Sequence, residues 1–418
     1  MSAIAGLLSI GPGASGTGAN TSDLVGEYQD SILVRNSKGM NAGSTLFGLM
    51  SKLKAEPAEN TEFNWFERDP VKRELLIATA GVDAVIPTSQ GQVKTTQLET
   101  SSGAADQTWQ YLNVGNILRN NTTGEYMQVT AATTNTISVA RSIDSAVFTG
   151  RTLTAGDKIQ IVTLGKDEGA LPVRSAYEEP TIMTNYIQTY NSTVELTNAF
   201  KANKLRSDLA GPLKARRIQA LERIAKDIEM SFLLGTKQRL TGTNGYQYYT
   251  GGVKAGVDNA GLSATNYLVG NGGSGVAIAV VQAWMQSFMT VGSDAKLALC
   301  GPLAYSVFSS YANLGTNGFR IMNQENVFGM NITVINTPFG ELDLAFHPGL
   351  KEIPSLADWM FVVDLAHVIQ KTQEPLFLEP NIQTPGQDSY KEQFRAKLGL
   401  KLRFANAFGY ASGLQKIN

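Results

Sequence analysis

One long helix constrains the fold of this chain more than any other feature. Residues 207–235 read SDLAGPLKARRIQALERIAKDIEMSFLLG, and Pro212 suits the first position of a helix. Gly235 is a typical residue after the last turn. An apolar residue recurs every three or four positions, which predicts one apolar stripe: Ile218, Leu221, Ala225, Ile228 and Phe232. A helix over 212–234 is about 34 Å long, so we expect other layers to pack along it.

A strand of similar length is predicted near the end of the chain. Residues 394–404 read FRAKLGLKLRF, with apolar side chains at the even positions from Phe394 to Phe404. The odd positions, apart from Gly399, carry basic side chains: Arg395, Lys397, Lys401 and Arg403. This period of two predicts one buried face and one basic, solvated face over about 36 Å. The matching lengths predict an elongated two-layer domain with the helix on the sheet.

Short strands separated by turns fill residues 112–164. The segments EYMQVTAA, TISVARSI and GDKIQIVTL alternate apolar and polar residues. They predict a small β-barrel or sandwich, inserted between a strand near Trp65 and a returning strand at 186–196. The flanking stretches 81–107 and 165–180 are predicted to be linkers.

Residues 62–79, EFNWFERDPVKRELLIAT, mix aromatic and charged side chains on either side of a proline. The composition fits a strand pair that lies on the surface of a partner, and it fits a solvated edge hairpin equally well. Farther along, residues 241–256 are predicted to be Gly- and Tyr-rich loops. Residues 276–364 alternate predicted helices and strands, as a mixed globular domain does.

Catalytic chemistry has few residues to use. The only two histidines, His347 and His367, lie in or near predicted strands, where a structural role is favoured. Cys300 is the only cysteine and ends an apolar strand, so we expect it to pack in a core. The sequence contains no P-loop and no nucleophile elbow. GNGGSG at 270–275 resembles a dinucleotide-binding turn, but a flexible loop before a helix is the better interpretation.

Charge and hydropathy argue against a protein that holds nucleic acid by its overall charge and against a membrane protein. The formal net charge of −1 gives no overall basic excess that would hold a nucleic acid. The longest apolar run, residues 276–285, is too short to cross a bilayer, so no membrane partner is expected. Neither a cofactor nor a metal ion is expected.

Taken together, the order of these elements resembles the major capsid protein of tailed bacteriophages, the Johnson fold. The similarity is to the branch whose extended loop contains an inserted β-domain. Five segments carry it: EFNWFERD at 62–69, VGNILRNNTTGEYMQVT at 114–130, TNYIQTYNSTVELT at 184–197, ARRIQALERIAKDIEMSFLLGTKQRLTG at 215–242 and ADWMFVVDLAHVIQKTQEPLFLEP at 357–380.

The resemblance implies an α+β fold with named parts. An N-terminal arm would cover 1–58, and an extended loop (E-loop) 59–200, with the inserted β-domain at about 82–172. The P-domain would comprise 201–259 and 376–418, including the spine helix 212–234, and the A-domain would comprise 260–375.

The resemblance also implies partners and contact residues. Copies of the chain would form the hexamers and pentamers of an icosahedral virion capsid, assembled in the bacterial cytoplasm around non-specifically contacted double-stranded DNA. Decoration, scaffold and portal proteins are further implied partners. Expected inter-subunit contacts are Trp65, Phe66, Arg68 and Arg73. The expected axial tip, in loops at 316–329, contains Asn317, Phe319, Arg320 and Asn326.

Two other interpretations stay open at this point. A bacterial encapsulin-like shell has the same fold and encloses a cargo enzyme, and the long β-insertion argues against it. A phage tail or adhesin protein is a second alternative, which the long helix and the mixed α/β segment oppose. An enzyme is not expected.

Overall fold

A computed structural model describes most of the chain beyond residue 54. The described residues are 55–68, 73–80, 95–100, 112–132, 136–141, 143, 153–154, 156–166, 168–169, 172, 180–202, 212–243, 245–270, 276–313, 320–327 and 330–414. The chain divides into two compact units. The smaller unit runs from Trp65 to Met183, and the larger unit comprises the rest.

A four-stranded sheet belongs to the larger unit. Its strands, in spatial order, are Ala55–Pro57, Val368–Glu379, Ser389–Leu402 and Gln188–Thr197. The first pair is parallel and the other two pairs are antiparallel. We call Ser389–Leu402 the terminal strand and Gln188–Thr197 the edge strand.

The terminal strand follows the predicted alternation up to its end. Its even positions from Phe394 to Leu402 are buried, as predicted. Phe404 is exposed instead of buried, which corrects the last position of the pattern. The strand ends at Leu402 and the backbone at Phe404 is left-handed, with φ of 54°, so this side chain has left the face that the strand buries.

The long helix spans Pro212–Leu234, as predicted. Its buried stripe consists of residues spaced by four: Ala220, Ile224, Ile228 and Phe232. The predicted stripe is confirmed at Ile228 and Phe232 and is wrong at its three earlier positions, Ile218, Leu221 and Ala225, which are exposed. The predicted residues and the buried residues are both apolar sets. The helix packs on the sheet through the set that lies in steps of four on either side of Ile228.

One hydrophobic core contains both long elements. Ile224 and Phe232 of the helix belong to the same cluster of buried residues as Phe394 and Leu398 of the terminal strand. The prediction that the helix lies on the sheet is therefore confirmed. Short helices at Asn198–Ala202 and Val253–Asn259 lie before and after the long helix in the chain.

A seven-stranded mixed sheet forms the second layer of the larger unit. Its strands, in spatial order, are Tyr267–Val269, Gly409–Ser412, Met360–Val363, Ala295–Cys300, Gly340–Phe346, Met330–Thr337 and Arg320–Val327. Helices Ile278–Met289 and Pro302–Asn313 contribute Trp284, Phe288 and Val307 to its core. Short helical turns complete it at Pro348–Glu352, Pro354–Leu356 and Ala405–Ala407. The alternating helices and strands predicted in 276–364 are all present.

The smaller unit contains a closed barrel of six strands. Around the barrel they are Glu74–Ala80, Thr95–Thr100, Thr136–Arg141, Tyr126–Ala132, Asn116–Asn120 and Lys158–Leu164. Its core includes Leu118, Met127, Val129, Ile137 and Ile159. Arg141 donates two hydrogen bonds to Glu125, at 2.9 and 2.7 Å, and both side chains are buried.

Two predictions about this region need correction. Thr95–Thr100 is a barrel strand and not part of a linker, because it pairs with a strand on each side. Its polar sequence alone gave no sign of a strand. The segments 62–67 and 74–80 are both strands, but they do not pair with each other. Glu62–Glu67 pairs with Thr181–Tyr186, while Glu74–Ala80 joins the barrel.

Candidate functional site

His347 and Cys300, two of the side chains with catalytic potential, have structural roles. Nε2 of His347 lies 2.7 Å from Oε1 of Glu229, and its Nδ1 accepts a hydrogen bond from the amide of Leu350 at 3.3 Å. His347 therefore caps the short helix that begins at Pro348. Cys300 is fully buried, and burial raises the pKa of its thiol well above its ordinary value, so it packs in the core as expected.

A buried ion pair between Lys296 and Asp364 also has a structural role. Nζ of Lys296 lies 3.2 Å from Oδ2 of Asp364 and also donates to the carbonyl oxygens of Val291 and Ala407. Burial raises the pKa of the Asp364 carboxyl, but hydrogen bonds from Ser293 and the charge of Lys296 more than offset it, so the pKa is lowered overall. These hydrogen bonds from Ser293 and to the carbonyls of Val291 and Ala407 hold the ion pair in place in the folded chain.

Metal and membrane chemistry find no support in the described residues. Within them, no three His, Cys, Asp or Glu side chains are placed to hold a metal ion. No described helix is long and apolar enough to cross a membrane.

The odd-numbered face of the terminal strand is ion-paired, not solvated as predicted. Lys397 and Arg395 contact the carboxylate of Glu374 at 2.6 and 3.4 Å, and Arg395 also lies 3.6 Å from Glu379. The carboxylates come from the neighbouring strand Val368–Glu379, which the isolated pattern of 394–404 could not reveal. Hydrogen bonding from Lys397 lowers the pKa of Glu374.

A second group of ion pairs joins the beginning of the described chain to the same face. Glu56 lies 2.7 Å from Lys371, 3.5 Å from Lys401 and 3.6 Å from Arg403. The hydrogen bond from Lys371 is the main reason that the pKa of Glu56 is lowered. In these two groups, five cations face three carboxylates, so only two positive charges are left uncompensated.

Two of the predicted contact residues lie together on the two-stranded ribbon of Glu62–Glu67 and Thr181–Tyr186. Phe66 is 69% exposed, and Ile182 on the other strand is 58% exposed. Trp65 is half-buried, and its indole donates to Glu67 at 2.7 Å. This is an aromatic, apolar surface of the kind found at protein interfaces.

The other two predicted contact residues flank the segment 69–72, which lies outside the described residues. Arg68, at the end of the ribbon strand, and Arg73, before the first barrel strand, are both exposed. The backbone carbonyl of Arg73 accepts a hydrogen bond from Ile161 at 2.8 Å. Contact of these four residues with another subunit stays a prediction.

A second exposed ribbon was predicted to be loops. Gln238–Gly242 and Gly245–Tyr249 form an antiparallel hairpin. Arg239 lies over the ring of Tyr246 at 4.8 Å, and Tyr246 is 60% exposed. The Asn-Gly pair at 244–245 is the signal that could have identified it. Tyr and Arg are enriched among interface residues that carry binding energy.

The predicted axial tip is described only in part. Asn317 and Phe319 lie outside the described residues. Arg320 and Asn326 belong to Arg320–Val327, a strand and not a loop, at one edge of the seven-stranded sheet. Pairing with Met330–Thr337 makes this mostly polar segment a strand, so its own sequence gave little sign of it.

Comparison with known families decides what these surfaces belong to. The family model described as SU10 major capsid protein matches residues 40–415, most of the chain. The chain belongs to the SU10 major capsid protein family. It is therefore a structural protein that self-associates in a virion capsid, and not an enzyme. No curated protein matches the sequence.

Solved structures are similar at low identity. A chain from Mycobacterium phage Cain is 9% identical, with 96% of this chain and 97% of that chain covered and a TM-score of 0.43. A chain from the capsid of an empty GTA particle is 11% identical, with 93% of this chain and 94% of that chain covered and a TM-score of 0.41. A chain from the holo-SrpI encapsulin complex of Synechococcus elongatus PCC 7942 is 10% identical. The match covers 58% of this chain and 78% of that chain, with a TM-score of 0.38. At these scores, membership of the SU10 major capsid protein family rests on the family match.

Proposed function

We propose that the chain is the repeating subunit of a tailed-phage icosahedral head. Its copies form hexamers and pentamers that close into a shell around double-stranded DNA, and assembly takes place in the host cytoplasm. The family match over residues 40–415 is the observation that carries this proposal.

Surface chemistry supports contact between many copies. Two-stranded ribbons are marginally stable in water, yet this chain exposes two of them with large apolar side chains at Phe66, Ile182 and Tyr246. Burial of such side chains between copies would stabilise both ribbons by about 25 cal/mol for each Å² of apolar surface covered. Trp65, Phe66, Arg68 and Arg73 are our proposed inter-subunit contacts.

The family resemblance is also the basis for the parts of the capsid fold that we propose here. Residues 1–58 are the proposed N-terminal arm, 59–200 the E-loop, and 260–375 the A-domain, whose axial tip includes Asn317, Phe319, Arg320 and Asn326. The P-domain comprises the remainder, with the helix Pro212–Leu234 as its spine. The smaller unit, Trp65–Met183, is wider than the insertion proposed at about 82–172.

DNA is proposed to touch the inner face without sequence preference. The terminal strand is a poor contact for it, since the cations of that strand are paired with Glu56, Glu374 and Glu379. Portal, scaffold and decoration proteins would complete the particle.

Nuclease protection tests the proposal against an encapsulin-like compartment. Particles isolated from infected cells are treated with nuclease, and the nucleic acid that remains inside is extracted and sized. We expect double-stranded DNA of uniform length. Particles that protect an enzyme cargo and no DNA would contradict the head assignment and favour the compartment.

A further inference from the structure

A groove with two arginines in its wall lies between the edge strand and the long helix. It has a volume of about 330 Å³ and is bordered by residues 192–196 of the strand. On the helix side its lining comprises Arg216, Gln219, Ala220 and Arg223, which recur at the spacing of one helix face. Ligand pockets in proteins start at about 300 Å³, so this arginine groove is large enough for a small ligand.

Both arginines are exposed, and neither has an ion-pair partner among the described residues. Arg216 donates a long hydrogen bond, of 3.4 Å, to the side-chain oxygen of Gln219. By contrast, Arg217 on the same helix is paired with Glu392. The groove therefore presents two positive charges, about 10 Å apart along the helix axis, that the described residues leave uncompensated.

Among the described residues that line the groove, Glu195 alone is acidic, and it does not offset these charges. It lies opposite Lys391 in the paired strands, and the Lys391 Nζ is 3.2 Å from its carboxylate. Successive residues of a strand point to opposite faces of the sheet. Since Val194 and Leu196 belong to the core that contains the helix, the Glu195 side chain extends from the other face.

A buried hydroxyl in the lining of the groove lacks a partner. Ser192 is 5% exposed, and its Oγ has no hydrogen-bond partner among the described residues. Tyr190 and Val194, the next residues on the same face of the strand, belong to the core that contains the helix, so the hydroxyl lies on the helix side. Because buried hydroxyls are normally hydrogen bonded, this one is available to donate to a ligand in the groove.

We propose that the arginine groove binds a phosphate-bearing anion, held by Arg216, Arg223 and the hydroxyl of Ser192. A guanidinium group presents a planar fork of N–H donors that matches two oxygens of a phosphate. A chain of phosphoryl groups carries enough charge and enough oxygen atoms to meet both arginines and the hydroxyl together.

Free phosphate chains, such as triphosphate or a nucleotide, and the backbone of a nucleic acid share this chemistry. A phosphate that reaches the buried hydroxyl of Ser192 has to enter the groove, which favours a free phosphate chain over a DNA duplex. The bound anion would neutralise the two arginines and connect the edge strand to the helix. It would therefore stabilise the folded subunit.

Calorimetric titration of the full-length, unassembled chain tests this inference. Inorganic triphosphate, a short DNA duplex and citrate are titrated separately at constant ionic strength. We expect triphosphate to bind at one site per chain and to raise the melting temperature of the chain. Citrate, which is multiply charged but has no phosphate, should bind more weakly. Binding of the duplex with the same dependence on the two arginines would support the site and identify the nucleic-acid backbone as the source of the phosphate.

Substitutions in the groove provide the second readout. Arg216→Gln and Arg223→Gln should each weaken triphosphate binding by about tenfold or more, because each removes a charge-assisted contact. Ser192→Ala should weaken it by about threefold and leave the stability of the unliganded chain unchanged, since the hydroxyl has no partner there. Lys214→Gln, which removes the same charge from an exposed position of the same helix outside the groove, is the matched control and should leave the affinity unchanged.

Three outcomes overturn the inference. They are no binding of triphosphate or duplex to the folded parent chain, equal binding in the parent and the two arginine variants, and binding of citrate as tight as that of triphosphate. Circular dichroism confirms that each variant is folded. Because the titration uses the unassembled chain, each of these outcomes leaves the proposed function standing.

Discussion

Arg217 on the long helix forms a two-pronged ion pair with Glu392 on the terminal strand. Its Nε lies 2.6 Å from Oε1 and its Nη2 lies 2.7 Å from Oε2. The Glu392 side chain is fully buried, whereas that of Arg217 is 37% exposed. Elements far apart in sequence are thus joined both by a hydrophobic core and by a directional charge contact.

Arg217→Ala is expected to destabilise the larger unit by about 2 kcal/mol, because it leaves a buried carboxylate without its strongest partner. Partial exposure of Arg217 keeps the loss below that of a fully buried pair. Urea unfolding of the unassembled subunit measures it. Lys226→Ala, which removes a partly exposed pair with Glu352, is the matched control and should cost less than about 1 kcal/mol. Equal losses in the two variants would show that the Arg217 pair has no special role.

Acid sensitivity should follow from the same pair. Burial raises the pKa of Glu392, but hydrogen bonds from Arg217 and Tyr390 more than offset it, so the pKa lies below its ordinary value near 4.5. A carboxyl with a lowered pKa in the folded state contributes its full stability above the unfolded value and loses it as the pH falls through the folded value.

We therefore expect the free energy of unfolding of the subunit to fall as the pH drops below about 5. Glu392→Gln should be less stable than the unmodified chain at pH 7 and lose less on acidification. Urea titrations at a series of pH values provide the comparison. An identical acid-induced loss in both proteins would place the responsible carboxyl elsewhere.

The sequence predicted best what depends on local periodicity. The bounds of the long helix and the buried face of the terminal strand follow from residue spacing alone, and so do most of the barrel strands. On the long helix, however, spacing alone did not show which apolar residues before Ile228 face the sheet. The helix packs through Ala220 and Ile224, and Ile218 and Leu221 are exposed.

Features that depend on partners distant in sequence could not be predicted in this way. Thr95–Thr100 and Arg320–Val327 are strands because their neighbours pair with them. The basic face of the terminal strand is ion-paired with Glu56 and Glu374, which lie on other strands. Surfaces were harder still, since the composition of 62–79 fitted a partner contact and a solvated hairpin equally well, and the family resemblance was needed to name Phe66 as a contact.

Assembly should depend on the apolar ribbon. Phe66→Ser is expected to leave the unfolding free energy of the subunit within about 0.5 kcal/mol of the parent, because Phe66 is already mostly exposed. It should nevertheless reduce the yield of particles, measured by sedimentation. Val114→Ser, which changes an exposed apolar residue of the barrel unit, is a matched control. Unchanged particle yield in Phe66→Ser would remove this residue from the proposed interface.

Removal of residues 1–43 should separate folding from assembly. The described larger unit begins at Ala55, so we expect the truncated chain to fold with the circular dichroism spectrum of its sheets and helices intact. Without most of the proposed N-terminal arm, it should stay a soluble subunit that forms no closed shells. Normal closed shells from the truncated chain, seen by electron microscopy, would count against the arm.

Imaging of the expressed full-length protein tests the central claim most directly. The purified protein is concentrated under assembly conditions and examined by electron microscopy with classification of single particles. We expect isometric closed shells with five-fold and six-fold capsomers. A population of monomers at every concentration, or tubular assemblies alone, would contradict the account.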